Sequence, residues 1–187
     1  MFHNRIAMNK THFIFLFVSL LLFSCKKENE HQPRKTTGKI NTISVIIDDQ
    51  FWNGEIGDSI RNKFASPVIG LPQEEPLFNI NQYPVRLLEG FMTDTRAIIV
   101  VKKAEENKFE IKKNQYASPQ NVFHISGKTA ADIIACIEKN TPKMIETIKN
   151  CELAESQKIN SQSLIDPKVI ENKFHLSIQV PSGYAYV

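Results

Sequence analysis

The run Ala97–Val101, AIIVV, constrains the fold of this chain more than any other stretch. It is five apolar residues long, mostly β-branched, with no polar position to turn toward water. That is the pattern of a central strand buried on both faces of a sheet. Other strands read around it. Ile40–Asp48, INTISVIID, sets Ile43, Val45 and Ile47 on one face against Ser44 and Ile46 on the other; the first face is buried and the second partly so. Leu77–Tyr83 alternates in the same way. Phe109–Lys112 and Asn121–Ile125 are shorter strands, and Lys173–Val180, KFHLSIQV, alternates as a last one.

Helical spacing appears twice. Ile56, Ile60 and Phe64 recur every four residues, one face of a helix that Pro67 stops. Thr129 is the N-cap expected for the longest helix, which carries Ile133, Ile134 and Ile137. Thr141-Pro142 is expected to restart it, with Met144, Ile145, Ile148 and Cys151 continuing to about Ser156. Between these elements, 67–76 is a Pro-rich acidic loop and 85–92 a short helical turn. The order predicts an α+β two-layer sandwich, a mixed or antiparallel sheet packed by helices. With insertions set aside it approximates β-α-β-β-α-β, the ferredoxin-like order. The main alternative is a mixed sheet with helices on both faces.

The N-terminal segment belongs to targeting rather than to the fold. Arg5 and Lys10 precede an eleven-residue apolar run, Phe13–Phe23, and no acidic residue occurs before Cys25. This is the plan of a secretory signal, and the run is short of the ~20 residues that span a membrane. Leu22-Phe23-Ser24-Cys25 resembles the bacterial lipobox, although Phe23 departs from the small residue commonest at its place. The resemblance implies that 1–24 is removed, that Cys25 is lipidated and that it becomes the new N-terminus. Two or three acyl chains would then hold the protein stably, since one chain alone binds reversibly. Residues 25–38 read as the lipidated Cys and a flexible tether, and 39–187 as one α+β domain. No Asp follows Cys25, so outer-membrane sorting is expected. Lys26-Lys27-Glu28 also resembles a surface-export signal, which leaves the periplasm and the cell surface both open.

Charge narrows the partners. The signal takes two basic and no acidic residues with it, so the formal +3 falls to about +1. A near-neutral domain without a dense basic face excludes nucleic acid as the expected partner. Lys102, Lys103, Lys108, Lys112 and Lys113 alternate with Glu105, Glu106 and Glu110, and the favoured reading is a solvated hairpin rather than a binding patch. Beyond the anchor only Cys136 and Cys151 remain. On one helix they stand about 22 Å apart, too far for a disulfide, so both are expected as free thiols.

Candidate chemistry is sparse. Asp48 and Asp49 end the first strand just before a helix, where ligands gather in open α/β sheets. With Glu55 and Asp58 nearby, and His124 as a base, a metal-assisted hydrolase is the alternative function. The favoured reading is a polar strand end followed by helix N-terminal acids. Phe51 and Trp52 are candidates for a partner-binding patch, with packing against the helix preferred. His124 and His175 lie in predicted strands, His175 facing away from the core. No metal-ligand spacing, cofactor motif or nucleophile elbow occurs in the sequence.

The tract from Asp48 to Pro84, DDQFWNGEIGDSIRNKFASPVIGLPQEEPLFNINQYP, with VFHISG before a long helix, resembles a domain-of-unknown-function lipoprotein family of Bacteroidetes-type bacteria. The similarity runs from about Lys39 to the C-terminus. It implies an envelope lipoprotein and carries over no activity, cofactor or catalytic residue. Members of that family are longer, so the chain reads as a shortened member in which QVPSGYAYV opens a second half. The expected function is a lipid-anchored envelope protein, held to membrane lipid through Cys25, that binds a protein or glycan partner without catalysis.

Overall fold

Ala97–Lys103 (β4) is the central strand, and residues 97–101 are buried on both faces. The computed structural model describes residues 34–88 and 90–184. Cys25, the signal and the first part of the tether lie outside the described residues.

Five strands form the main sheet in the order β3-β2-β4-β7-β5. They are Thr42–Ile46 (β2), Asn79–Tyr83 (β3), Lys108–Lys113 (β5) and Asn121–Gly127 (β7), with β4 in the middle. β3, β2, β4 and β7 run parallel, and β5 pairs antiparallel to β7 at the edge. The sheet is therefore mixed, as expected. Its mainly parallel order departs from the split βαβ pattern. Thr42–Ile46 and residues 97–101 are wholly buried, and strands apolar on both sides favour parallel central positions.

The charged hairpin expected at 102–113 does not form, because β7 lies between β4 and β5. Burial explains the exchange. β7 is buried at five of its seven positions and needs a neighbour on each side, whereas β5 exposes its ends and suits an edge.

One face of the sheet carries the helices. Asp49–Trp52 (α1) and Glu55–Phe64 (α2) follow β2, and Ala130–Asn160 (α3) follows β7. Ile56, Ile60 and Phe64 from α2 meet Ile133, Ile137, Met144 and Ile148 from α3 over Ile43, Val45, Ile99, Val101, Phe123 and Ile125. Gly57 sets the α1–α2 angle: a Cβ there would lie 1.9 Å from the Trp52 carbonyl oxygen. Gly127 likewise lets the end of β7 approach α3, since a Cβ would meet Ile133 Cγ1 at 2.9 Å.

Thr129 caps α3 as expected, in a capping box closed by Asp132. Pro142 does not restart the helix, which runs unbroken through it. The buried stripe continues on both sides of the proline, from Ile137 to Met144 and Ile148, so packing outweighs the missing N–H. Cys136 and Cys151 share this one helix as free thiols. Near its far end Arg96 Nε meets Glu152 Oε2 at 2.9 Å, with both side chains under a tenth exposed.

Among the described residues, the opposite face carries no α-helix. Ile46, Ile98, Val100 and Val122 are covered there by Tyr83, Val85, Leu88 and Tyr116, with Val85 in the 3₁₀ turn Val85–Leu87 that follows β3 and Leu88 capping it. Two further expectations change at the ends of the domain. Residues 34–38 do not form the end of a free tether. Arg34–Lys35 (β1) pairs in parallel with Ala117–Ser118 (β6), Thr36 is buried, and Thr37 N–H bonds Asp94 O at 2.8 Å. Backbone pairing needs no apolar side chains, so the polar composition hid it. The last strand is also absent: Lys168–Phe174 (α4) is helical and His175 caps it at φ 56°. Phe174, Leu176 and Ile178, expected on a buried face, are about half exposed, with no strand beside them among the described residues.

Candidate functional site

The face opposite α2 and α3 presents an ordered set of charged side chains where β4 and β7 end. Register puts Lys102, Ser126 and Lys108 in one row, and Val100, His124 and Glu110 in the next. Ile98, Val122 and Lys112 make a third. Side chains alternate along a strand, so these rows share one face while Phe109, Ile111, Phe123 and Ile125 turn to the helices. The tyrosines and the 3₁₀ segment cover the apolar row and leave the charged rows open. A shallow cavity of about 260 Å³ lies there, lined by Lys102, Lys103, Lys108, Glu110, Lys112 and His124 among others.

Glu110 is the one carboxylate in these rows. Lys108 Nζ lies 2.9 Å from its Oε2 and Lys112 Nζ 3.9 Å from its Oε1. The Lys108 bond holds the Glu110 carboxyl below its ordinary range, and Glu110 in turn raises Lys108. Lys102 and Lys103 form no ion pair among the described residues. In the neighbouring turn Lys128 holds Glu105 at 3.6 Å, and the Glu106 backbone accepts from Ser126 Oγ at 3.1 Å.

His124 is half-buried at the centre. Its Nε2 lies 2.7 Å from Gln115 Oε1, and Gln115 Nε2 donates to Tyr116 Oη at 2.8 Å. With the amide so oriented, Nε2 carries the proton and Nδ1 is left without a hydrogen bond among the described residues. Burial pushes the imidazole below its ordinary value, and Lys112, Lys102 and Lys108 add to this against an opposing Glu110. The ring is therefore held toward its neutral form, chiefly by burial and secondarily by the nearby lysines. Burial also pushes the Tyr116 phenol up.

The other sequence candidates lie elsewhere. Asp48 and Asp49 follow β2, beside the point where strand order reverses between β2 and β4. Asp49 Oδ1 accepts from Gln82 Nε2 at 3.0 Å, and that amide also bonds Ile47 O at 3.2 Å. The Asp48 carbonyl accepts from the N–H groups of Phe51 and Trp52. Asp58 pairs with Arg61 at 2.7 Å, and Arg61 stacks over Trp52 at 4.5 Å and donates to its carbonyl. Phe51 and Trp52 pack half-buried against the core. No hydrogen bond or ion pair joins Asp48, Asp49, Glu55, Asp58 and His124 to one another among the described residues. Nor are any three His, Cys, Asp or Glu side chains there grouped as metal donors would be.

Sequence reasoning had His124 and the lysines in hand but not their meeting. The period-two spacing of Lys108, Glu110 and Lys112 was the available signal, since it places all three on one face of a strand. Gln115 gave no signal, because its role depends on how the 114–120 loop folds back.

A family model described as "Domain of unknown function (DUF8532)" matches residues 36–161. No curated protein and no solved structure matches the chain.

Proposed function

The chain belongs to the DUF8532 family, and from that premise we propose that it is a lipid-anchored protein of the bacterial cell envelope whose folded domain binds a partner without catalysis. In this reading Cys25 carries the lipid, and the outer membrane holds the protein with its domain in the periplasm or at the cell surface. Its kin are then lipoproteins of Bacteroidetes-type bacteria. The anchor is supported by the basic start, the short apolar run and the Leu22–Cys25 motif. The observation that carries the binding role is the open sheet face, where convergent lysines surround His124 above a shallow cavity.

Metabolic labelling with palmitate in a bacterium that processes lipoproteins tests the anchor. The wild type takes up label and fractionates with membranes, and Cys25→Ala does neither. Equal labelling of the two proteins would refute it.

A further inference from the structure

We propose that the open face around His124 is a binding site for a phosphate-type oxyanion, held by Lys102, Lys108 and Lys112 with the imidazole as an additional donor. The inference deepens the binding half of the function proposed above and is independent of the anchor.

The geometry supplies the first argument. β7 lies between β4 and β5, and this brings lysines distant in sequence onto one face. Lys108 and Lys112 are diagonal neighbours of His124 across the antiparallel pair, at about 7–8 Å between backbones. Lys102 occupies the corresponding corner on β4. Chemistry supplies the second. Lys108 and Lys112 share one carboxylate between them, and among the described residues Lys102 and Lys103 have none. The Glu105 carboxylate is held by Lys128, and Glu106 acts on Lys108 from the turn. The rows therefore hold more ammonium groups than carboxylates, on a surface floored by the buried Val100. Such a concave basic surface concentrates anions, and lysine binds phosphate as a compact point charge.

His124 supplies the third. Gln115 fixes the proton on Nε2 and leaves Nδ1 as the titrating nitrogen. An anion above the ring offsets the lysine field and favours the imidazolium, whose Nδ1–H then becomes a donor. The cavity, about 260 Å³, falls below the usual range of small-molecule pockets, ~300–1,000 Å³. It suits a compact charged group, either free phosphate or the phosphate of a lipid headgroup.

The test follows the His124 ring by NMR in the full chain held in nonionic detergent. It is titrated with inorganic phosphate, with chloride at matched ionic strength, and with phosphatidic acid in mixed micelles. His124→Gln assigns the signal. Phosphate moves the His124 midpoint saturably upward and chloride does not. In Lys102→Gln/Lys112→Gln binding weakens by roughly tenfold or more, as removing two nearby ammonium groups requires. Lys139→Gln, an exposed change on α3, leaves binding unchanged. Saturation by free phosphate identifies a soluble source, and a response to phosphatidic acid alone identifies a headgroup. An equal response to chloride, or an undiminished response in the double variant, overturns the site. Failure here with normal palmitate labelling leaves the anchored reading standing, and loss of labelling with intact phosphate binding leaves the site standing.

Discussion

Arg96 and Glu152 form the described ion pair most withdrawn from water, and breaking it one side at a time should reveal which term dominates. Their side chains are 8% and 7% exposed, and Nε meets Oε2 at 2.9 Å. Glu152 Oε1 makes no hydrogen bond among the described residues, although the Asn41 backbone amide also favours the charged form. Burial nevertheless raises the Glu152 carboxyl above the ordinary value of 4.5, against the pull of Arg96. Glu152→Ala leaves the guanidinium buried without its counter-ion, a loss of about 3–5 kcal/mol. Glu152→Gln keeps an oxygen for Arg96 Nε and sheds the buried charge. Its loss should stay below the ~1.5–3 kcal/mol of a charged hydrogen bond. Arg96→Met/Glu152→Met removes both charges and should lie near the wild type or above it.

Urea unfolding followed by the fluorescence of Trp52, the single tryptophan, measures all three variants. The raised carboxyl also sets a sign with pH. The folded state binds the Glu152 proton more tightly than the unfolded chain does. This contribution is complete below the unfolded value and is lost as pH rises through the folded one. The stability difference between wild type and Glu152→Gln therefore moves in the wild type's favour on acidification. The reasoning is refuted if the double variant is as unstable as Glu152→Ala, or if that difference moves the other way.

Three further outcomes follow from single contacts. Gly57→Ala forces a Cβ into the Trp52 carbonyl, and its urea midpoint should fall by the equivalent of about 3 kcal/mol, the upper end of ordinary overpacking. Thr129→Ala removes the oxygen that accepts from Asp132 N–H and should lower stability by about 1 kcal/mol, with the largest gain in amide exchange in the first turn of α3. His124→Gln removes a base whose folded value lies below its ordinary 6.5. The wild type should lose stability as pH falls from above 6.5 through the folded value, and the variant should lack that decline.

The elements legible in the sequence were those whose side chains report their own environment. AIIVV has no polar position to turn toward water and reads as a buried strand, and Thr129 marked a helix start whose capping hydrogen bonds are made within four residues. What stayed hidden depended on partners far along the chain. Phe174, Leu176 and Ile178 alternate as a strand should, but alternation supplies no neighbouring edge, and 168–174 is helical instead. Pro142 looked like a boundary because the penalty it carries is local, whereas the stripe that overrides it is tertiary. The arrangement of β4, β7 and β5 was hidden for the same reason: a four-residue charged turn normally joins neighbouring strands.

That strand exchange is also what relates the fold to the candidate site. Had β4 and β5 paired as a hairpin across 104–107, Lys103 would have stood opposite Lys108, and His124 would have lain outside the pair. With β7 between, the ammonium groups are spaced across a strand and the imidazole is centred among them. Like charges directly opposite on neighbouring strands are destabilising, and the intervening row of Ser126, His124 and Val122 keeps the lysines of β4 and β5 apart. The helices α2 and α3 then complete the arrangement, because they bury the apolar odd-numbered side chains of β4, β5 and β7 and leave the even-numbered ones to the other side. The burial pattern that makes β7 an interior strand therefore also gathers the charges, and the stability of the sheet and the composition of its open face share one cause.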